Sequence, residues 1–185
     1  MKIAVTGHTQ GIGKSIADWM SSHGHEVTGF SRTTGHDIKH DEALDLIVSE
    51  CEDVDIFFNN ATWEFQQTKL LFKLHEAWSG QHKTIVNIST SYTQRWDHSH
   101  VSPMYRTSKC GLNEGCEFLW NKLPWPRIVL VKPCVTETPK AVWYEHPNKV
   151  LPDDMADMIC NAVMETRCRV QEIAFEVNPR DAVSK

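Results

Sequence analysis

Thr6-Gly7-His8-Thr9-Gln10-Gly11-Ile12-Gly13 follows the apolar run Ile3-Ala4-Val5 and precedes the amphipathic segment Ile16-Ala17-Asp18-Trp19-Met20. A strand, a glycine-rich turn and a helix in that order describe a dinucleotide site. Glycine lets the backbone turn tightly, lets a pyrophosphate approach, and leaves N–H groups at the helix N-terminus free to meet it. The turn therefore nominates Gly7, Thr9, Gln10, Gly11, Ile12 and Gly13 as phosphate-binding residues.

Outward from that turn, strand-like apolar runs recur near residues 2–6, 26–30, 54–59, 84–89, 127–132 and 171–177. Helical periodicity fills about 12–23, 41–51, 64–79, 104–122 and 153–166 between them. The alternation predicts an α/β fold, a single-domain doubly wound parallel sheet in three α/β/α layers, spanning 1–185. Pro124-Trp125-Pro126 ends the fourth helix before the strand Ile128-Val129-Leu130-Val131.

With 185 residues there is room for one domain that buries about two thirds of its unfolded surface. No apolar run approaches the roughly 20 residues of a membrane helix, and Met1-Lys2 leads straight into the first strand, so the expectation is a cytoplasmic protein without a targeting segment. Six cysteines are scattered without a C-x-x-C pair and read as small buried hydrophobes. A net charge of −5 argues against general affinity for nucleic acid or anionic membrane and points to a small-molecule partner. No motif spacing supports a metal site, and the Asp97-His98-Ser99-His100 run reads as a solvent loop.

The spacing T-G-x-x-x-G-I-G resembles that of the short-chain dehydrogenase/reductase family, and four further segments match it in order. Asn59-Asn60-Ala61 is similar to its N-N-A-G motif, and Ile85-Val86-Asn87-Ile88-Ser89-Thr90 to the strand that ends in its catalytic serine. Tyr105-Arg106-Thr107-Ser108-Lys109 fits Y-x-x-x-K, and Pro133-Cys134-Val135-Thr136-Glu137-Thr138 resembles P-G-x-x-x-T. Leu151-Pro152-Asp153-Asp154-Met155-Ala156 resembles the start of the family's last main helix, so the likeness covers essentially the whole chain. The chain is shorter than the family's usual length. Four residues separate Arg32 from Asp37, 25 separate Ala61 from Asn87, and 12 separate Thr138 from Leu151.

The resemblance implies a nicotinamide dinucleotide cofactor. Asn59, Asn60 and Ala61 would steady the sheet beside the adenosine ribose, and Asp37-Ile38 would hold the adenine. Thr138 would bond the nicotinamide carboxamide, with Pro133 and Val135 lining the ring pocket. The family's glycine is Cys134 here, which adds a side chain. At the end of the second strand, Ser31-Arg32 offers a guanidinium fork and no carboxylate, which favours NADP(H) over NAD(H).

Tyr105 and Lys109 stand four apart, hence on one helix face. A tyrosine hydroxyl titrates near about 10, and an ammonium close by would lower it toward acid/base use. Lys109 can also hold the nicotinamide ribose. The hydroxyl that polarises a substrate carbonyl falls among Ser89, Thr90 and Ser91. Family register from Asn87 selects Thr90, and the 14 residues between it and Tyr105 keep Ser91 as a rival. Residues 62–86 hold no asparagine to match the family's fourth catalytic member, and Gln66 or Gln67 are its possible substitutes or else polar positions on an exposed helix face. Trp96, His98 and His100, with Trp143, Tyr144 and His146, fall in loops that border the family's substrate cleft.

The function implied is an NADP-dependent oxidoreductase acting on a carbonyl/alcohol substrate. A dinucleotide-binding sensor or scaffold that lost turnover is the alternative. Family members commonly pair through the helices at about 64–79 and 104–122, which implies a homodimer or homotetramer.

Overall fold

The structure is a computed structural model that describes residues 1–93, 101–122, 124–141, 149–165 and 169–176. Six strands, β1 (Lys2–Thr6), β2 (Glu26–Phe30), β3 (Ile56–Asn59), β4 (Thr84–Ile88), β5 (Arg127–Lys132) and β6 (Glu172–Ala174), form one sheet in the order β2-β1-β3-β4-β5-β6. Every pairing is parallel.

Period-two alternation along the strands sorts the core into two layers. Ile3, Val5, Ile56, Phe58, Val86, Ile88, Val129 and Val131 face one side, while Ala4, Phe57, Ile85, Ile128 and Leu130 face the other. Both faces are covered, so the inner strands read as continuous apolar runs rather than as alternating ones.

On the first face lie α1 (Gly11–Ser22) and α5 (Pro152–Met164). Their apolar stripes, Ile16, Ala17 and Met20 on α1 and Met155, Ala156, Ile159, Cys160 and Val163 on α5, recur at helical spacing and are buried. Hydrogen bonds from Ser15 Oγ to Asp153 (2.6 Å) and from Trp19 Nε1 to Asp157 (3.0 Å) tie the two helices. The second face carries α2 (Asp41–Glu50), α3 (Gln66–Ala77) and α4 (Pro103–Trp120), with Leu44, Ile47, Leu70, Leu71, Leu74, Leu112, Cys116 and Leu119 packed on the sheet. Proline at the start of α4 and α5 suits the first helical turn, where its missing N–H costs nothing.

The sequence-based elements are thus all present, with ends shifted by up to three residues. The last strand, expected over 171–177, is confined to Glu172–Ala174 within the described residues. From β1 the chain first adds β2 on one side and later β3 on the other. Strand order therefore reverses between β1 and β3, and the carboxyl ends of those strands open the crevice where this class of sheet binds ligands. The short Arg32–Asp37 connection has a structural counterpart: β2 is the sheet edge, and a 3₁₀ turn at Arg32–Thr34 leads through Gly35 toward α2.

Candidate functional site

The glycine-rich turn sits at the reversal point. Gly7 (φ 71°) and Gly11 (φ 56°) occupy left-handed backbone that a side chain would strain. A Cβ on Gly7 would come within 3.0 Å of Asn60 Nδ2 and 3.3 Å of Ala61 Cβ, so the turn is pressed against the segment after β3. Thr6 builds that contact: its Oγ1 accepts from the backbone N–H groups of Asn60 (2.9 Å) and Ala61 (3.0 Å). Asn60 Nδ2 donates back to the Thr6 carbonyl at 2.9 Å. A Cβ on Gly13 would overlap Asn60 Nδ2 and the Gly7 carbonyl.

Gln10, the N-cap residue of α1, makes no side-chain capping bond. The helix therefore offers N–H groups and the positive end of its dipole to an incoming anion. Thr9 and Gln10 are exposed at its mouth. Thr138 stands over the turn, since a Cβ on Gly11 would lie 3.1 Å from its methyl group. Gly11 in the glycine turn and Thr138 are thus neighbours, although 127 positions apart in sequence.

The second half of the site collects on β4 and α4. Ser89 is withdrawn from it: its hydroxyl donates to Asn113 Oδ1 at 2.6 Å within the core. Asn113 in turn donates to Thr93 Oγ1 (3.0 Å), which bonds the Thr90 carbonyl (3.0 Å), so this chain of bonds fixes the turn Ser91–Thr93 after β4. Of the three hydroxyls left open by the sequence, Thr90 is the one that pairs with the Tyr105 phenol. Ser91 uses its backbone N–H on the Pro133 carbonyl, 3.0 Å away.

Burial pushes the Tyr105 hydroxyl above its ordinary value, and the Thr90 hydrogen bond pulls it only partly back. Proximity of an ammonium suggested the opposite direction. The difference has a geometric cause. Lys109 Nζ lies 5.7 Å from the Tyr105 ring centroid but is directed into three oxygen acceptors: Thr62 Oγ1 (2.9 Å), Gln67 Oε1 (2.7 Å) and the Ile88 carbonyl (2.7 Å). Lys109 is 2% exposed, as is Gln67.

Neither glutamine lies on an exposed helix face. Gln66 bonds the Lys39 carbonyl and Asp41, which anchors α3 to the start of α2. Gln67 joins the site, where the sequence reading had left open whether it would. Its register with Leu70, Leu71 and Leu74 on the buried stripe of α3 was the available signal. Thr62, which stands where the motif's glycine would be, and Thr6, which binds the Asn60–Ala61 turn, were missed. Thr62 carried a signal in that departure from the motif. Asn59 is buried between β3 and β4, donating to Asn87 Oδ1 (2.9 Å) and to the Gln67 carbonyl (2.8 Å).

The remaining residues rim the crevice. Arg32 is exposed on the 3₁₀ turn after β2, and the Ser31 hydroxyl is shared with Thr33 at 2.8 Å. The His8 ring packs on Gly29, where any Cβ would overlap it, and thereby closes the floor at the end of β2. Asp37 Oδ1 accepts from the Lys39 N–H (3.1 Å) in a local turn, while Ile38 belongs to the core beside Phe30 and Leu44. Pro133 and Val135 are buried at the end of β5. Cys134 packs into the α1/α5 core with Val131 and Met155. Trp96, His98 and His100, together with Trp143, Tyr144 and His146, lie outside the described residues. Among the described residues no group of three His, Cys, Asp or Glu side chains could hold a metal ion, and no helix is long and apolar enough to cross a membrane.

Comparison with solved structures places the architecture. A short-chain dehydrogenase from Burkholderia cenocepacia, in complex with NADP, superposes with a TM-score of 0.78 at 17% identity, over 95% of this chain and 87% of that one. A short-chain dehydrogenase from Sphingobium yanoikuyae, in complex with NADPH, gives 0.72 at 16% identity over 94% and 87%. The 3-alpha-hydroxysteroid dehydrogenase from a Pseudomonas species, complexed with NADH, gives 0.69 at 18% identity over 94% and 95%. The chain thus has the short-chain dehydrogenase/reductase fold. No family model matches the sequence, and no curated protein does.

Proposed function

We propose that the protein is an NADP(H)-dependent oxidoreductase of the short-chain dehydrogenase/reductase type, acting on a small carbonyl/alcohol substrate. The observation that carries this reading is the convergence of Thr90, Tyr105 and Lys109 beside a glycine turn whose helix N-cap residue, Gln10, makes no side-chain capping bond.

The residues present fit a dinucleotide. Gly7, Gly11, Ile12 and Gly13 would hold the pyrophosphate, with Thr9 and Gln10 at its edge. Asn59, Asn60 and Ala61 would shape the wall beside the adenosine, with Asp37 and Ile38 beyond it. Ser31 and Arg32 would meet a 2′-phosphate, for which an exposed guanidinium is suited. Pro133, Val135 and Thr138 would line the nicotinamide end. When bound, the cofactor supplies the two-electron chemistry.

The chain's own groups handle the proton and the carbonyl. Thr90 donates to the carbonyl oxygen, and the Tyr105 phenol delivers its proton to the same oxygen during reduction. A raised Tyr105 pKa keeps that proton in place across the neutral range. Lys109 supplies a fixed positive charge behind the tyrosine. Pairing of copies through α3 and α4 is part of this reading, and Phe72 and Phe118, both exposed on those helices, suit it.

The second reading, a dinucleotide-binding sensor without turnover, draws on Cys134, which stands where the family's motif has glycine, and on residues 62–86, which hold no asparagine. NADPH oxidation across a panel of aldehydes and ketones separates the two. Carbonyl-dependent oxidation that disappears in Tyr105→Phe supports the enzyme. NADPH binding without oxidation on the whole panel supports the sensor.

A further inference from the structure

The Gln67 amide is held from three directions, and its orientation is forced. Nε2 donates to the Asn59 carbonyl (2.5 Å) and to the Ile88 carbonyl (2.9 Å), at the ends of β3 and β4. Two carbonyl acceptors on one side of the amide require its NH₂ group there, which leaves Oε1 pointing at the Lys109 ammonium, 2.7 Å away. The Ile88 carbonyl accepts from Gln67 Nε2 and from Lys109 Nζ together, using both lone pairs. Among the described residues Thr62 Oγ1 is a further acceptor for the ammonium, at 2.9 Å.

We propose that Gln67 is a positioning residue for Lys109: through its amide, the ends of β3 and β4 lock the ammonium beside Tyr105 by direct contact. The inference rests on the reading above for Lys109's working role, whereas the clamp itself is geometry within the chain. It makes Lys109 a fixed charge whose place is set by the sheet. Thr62 is half-buried and Gln67 is fully buried, so Thr62 is the acceptor that an incoming ribose hydroxyl would displace while Gln67 stays in place.

The test is trace acetylation of the full-length protein with acetic anhydride, read at Lys109 by peptide mass spectrometry relative to the exposed Lys39. Gln67→Met keeps the bulk of the side chain and removes both ends of the amide. Acetylation of Lys109 is expected to accelerate about tenfold or more, the factor that one hydrogen bond to a charged group supplies. In a Lys109→Met background, Gln67→Met should cost less urea stability than in the wild type, because the partner it would orphan is already gone. Unchanged acetylation in Gln67→Met, or an equal stability cost in both backgrounds, overturns the proposal. Should Gln67→Met not fold, Gln67→Asn retains the amide but shortens its reach. A smaller acceleration there supports the clamp, and none overturns it. NADPH titration of the wild type runs in parallel. Absent binding refutes the proposed function and leaves the clamp standing, whereas binding with unchanged acetylation refutes the clamp alone.

Discussion

Replacing Gly13 by alanine sets two physical effects of opposite sign against each other. Gly13 lies in the first turn of α1, and alanine is favoured over glycine in a helix by about 1 kcal/mol. Propensity alone therefore predicts a more stable protein. The structure predicts the reverse, because the new methyl would overlap a backbone oxygen, that of Gly7, and the Asn60 amide that holds the turn to β1. Overpacking of this kind costs about 1–3 kcal/mol. Displacing Asn60 from the Thr6 carbonyl adds about 1 kcal/mol for the lost hydrogen bond. After the propensity gain is offset, the net is a loss of about 2 kcal/mol, or a fall in Tm of about 4–8 °C for a chain of this size. Gly115→Ala is the matched control. It also sits inside a helix, but its Cβ would meet Phe72 and Leu71 at 3.4 and 3.5 Å, ordinary contact distances. That variant should gain up to about 1 kcal/mol. Urea unfolding followed by tryptophan fluorescence measures both. A Gly13→Ala protein as stable as the wild type, or more so, refutes the account of the turn.

Three further outcomes follow from the site. Thr90→Val should push the Tyr105 phenol further up in an alkaline absorbance titration, since the bond that partly offsets burial is removed, whereas Ser91→Ala should leave it in place; equal effects would contradict the assignment of Thr90. Burial pushes the thiols of Cys51 and Cys160 up to about 12, so at pH 8 both should resist iodoacetamide in the folded protein and react only on unfolding. Because these folded values exceed the unfolded thiol value of 9.0, the stability they contribute is complete below pH 9 and is lost as pH rises toward 12; unfolding midpoints measured from pH 8 to 11 should fall, and a flat profile would contradict this.

Sheet and helices were legible because each rests on a local pattern. Continuous apolar runs marked β3, β4 and β5, and stripes at helical spacing marked α1 and α5. The glycine turn was legible for the same reason, since its backbone demands show in residue type. What was not legible depends on side chains that meet across long sequence separations. Gln67 reads either as a substitute for the missing asparagine or as a polar surface position until its register with Leu70, Leu71 and Leu74 is set against the ends of β3 and β4. Thr90 and Ser91 could not be separated by counting residues to Tyr105. The choice is made by the turn at Ser91–Thr93, which is itself pinned by Asn113 from α4. For Tyr105 the sequence reveals a nearby lysine but neither the burial that dominates nor the three acceptors that claim the ammonium.

The most direct test of the dinucleotide site is a fluorescence titration of wild type and Arg32→Ala with NADPH and with NADH. The account predicts saturable binding, tighter for NADPH, and a loss of about tenfold or more for NADPH alone in Arg32→Ala, as removal of a charge-assisted contact to phosphate implies. Absence of saturable binding of either nucleotide to the wild type would contradict it.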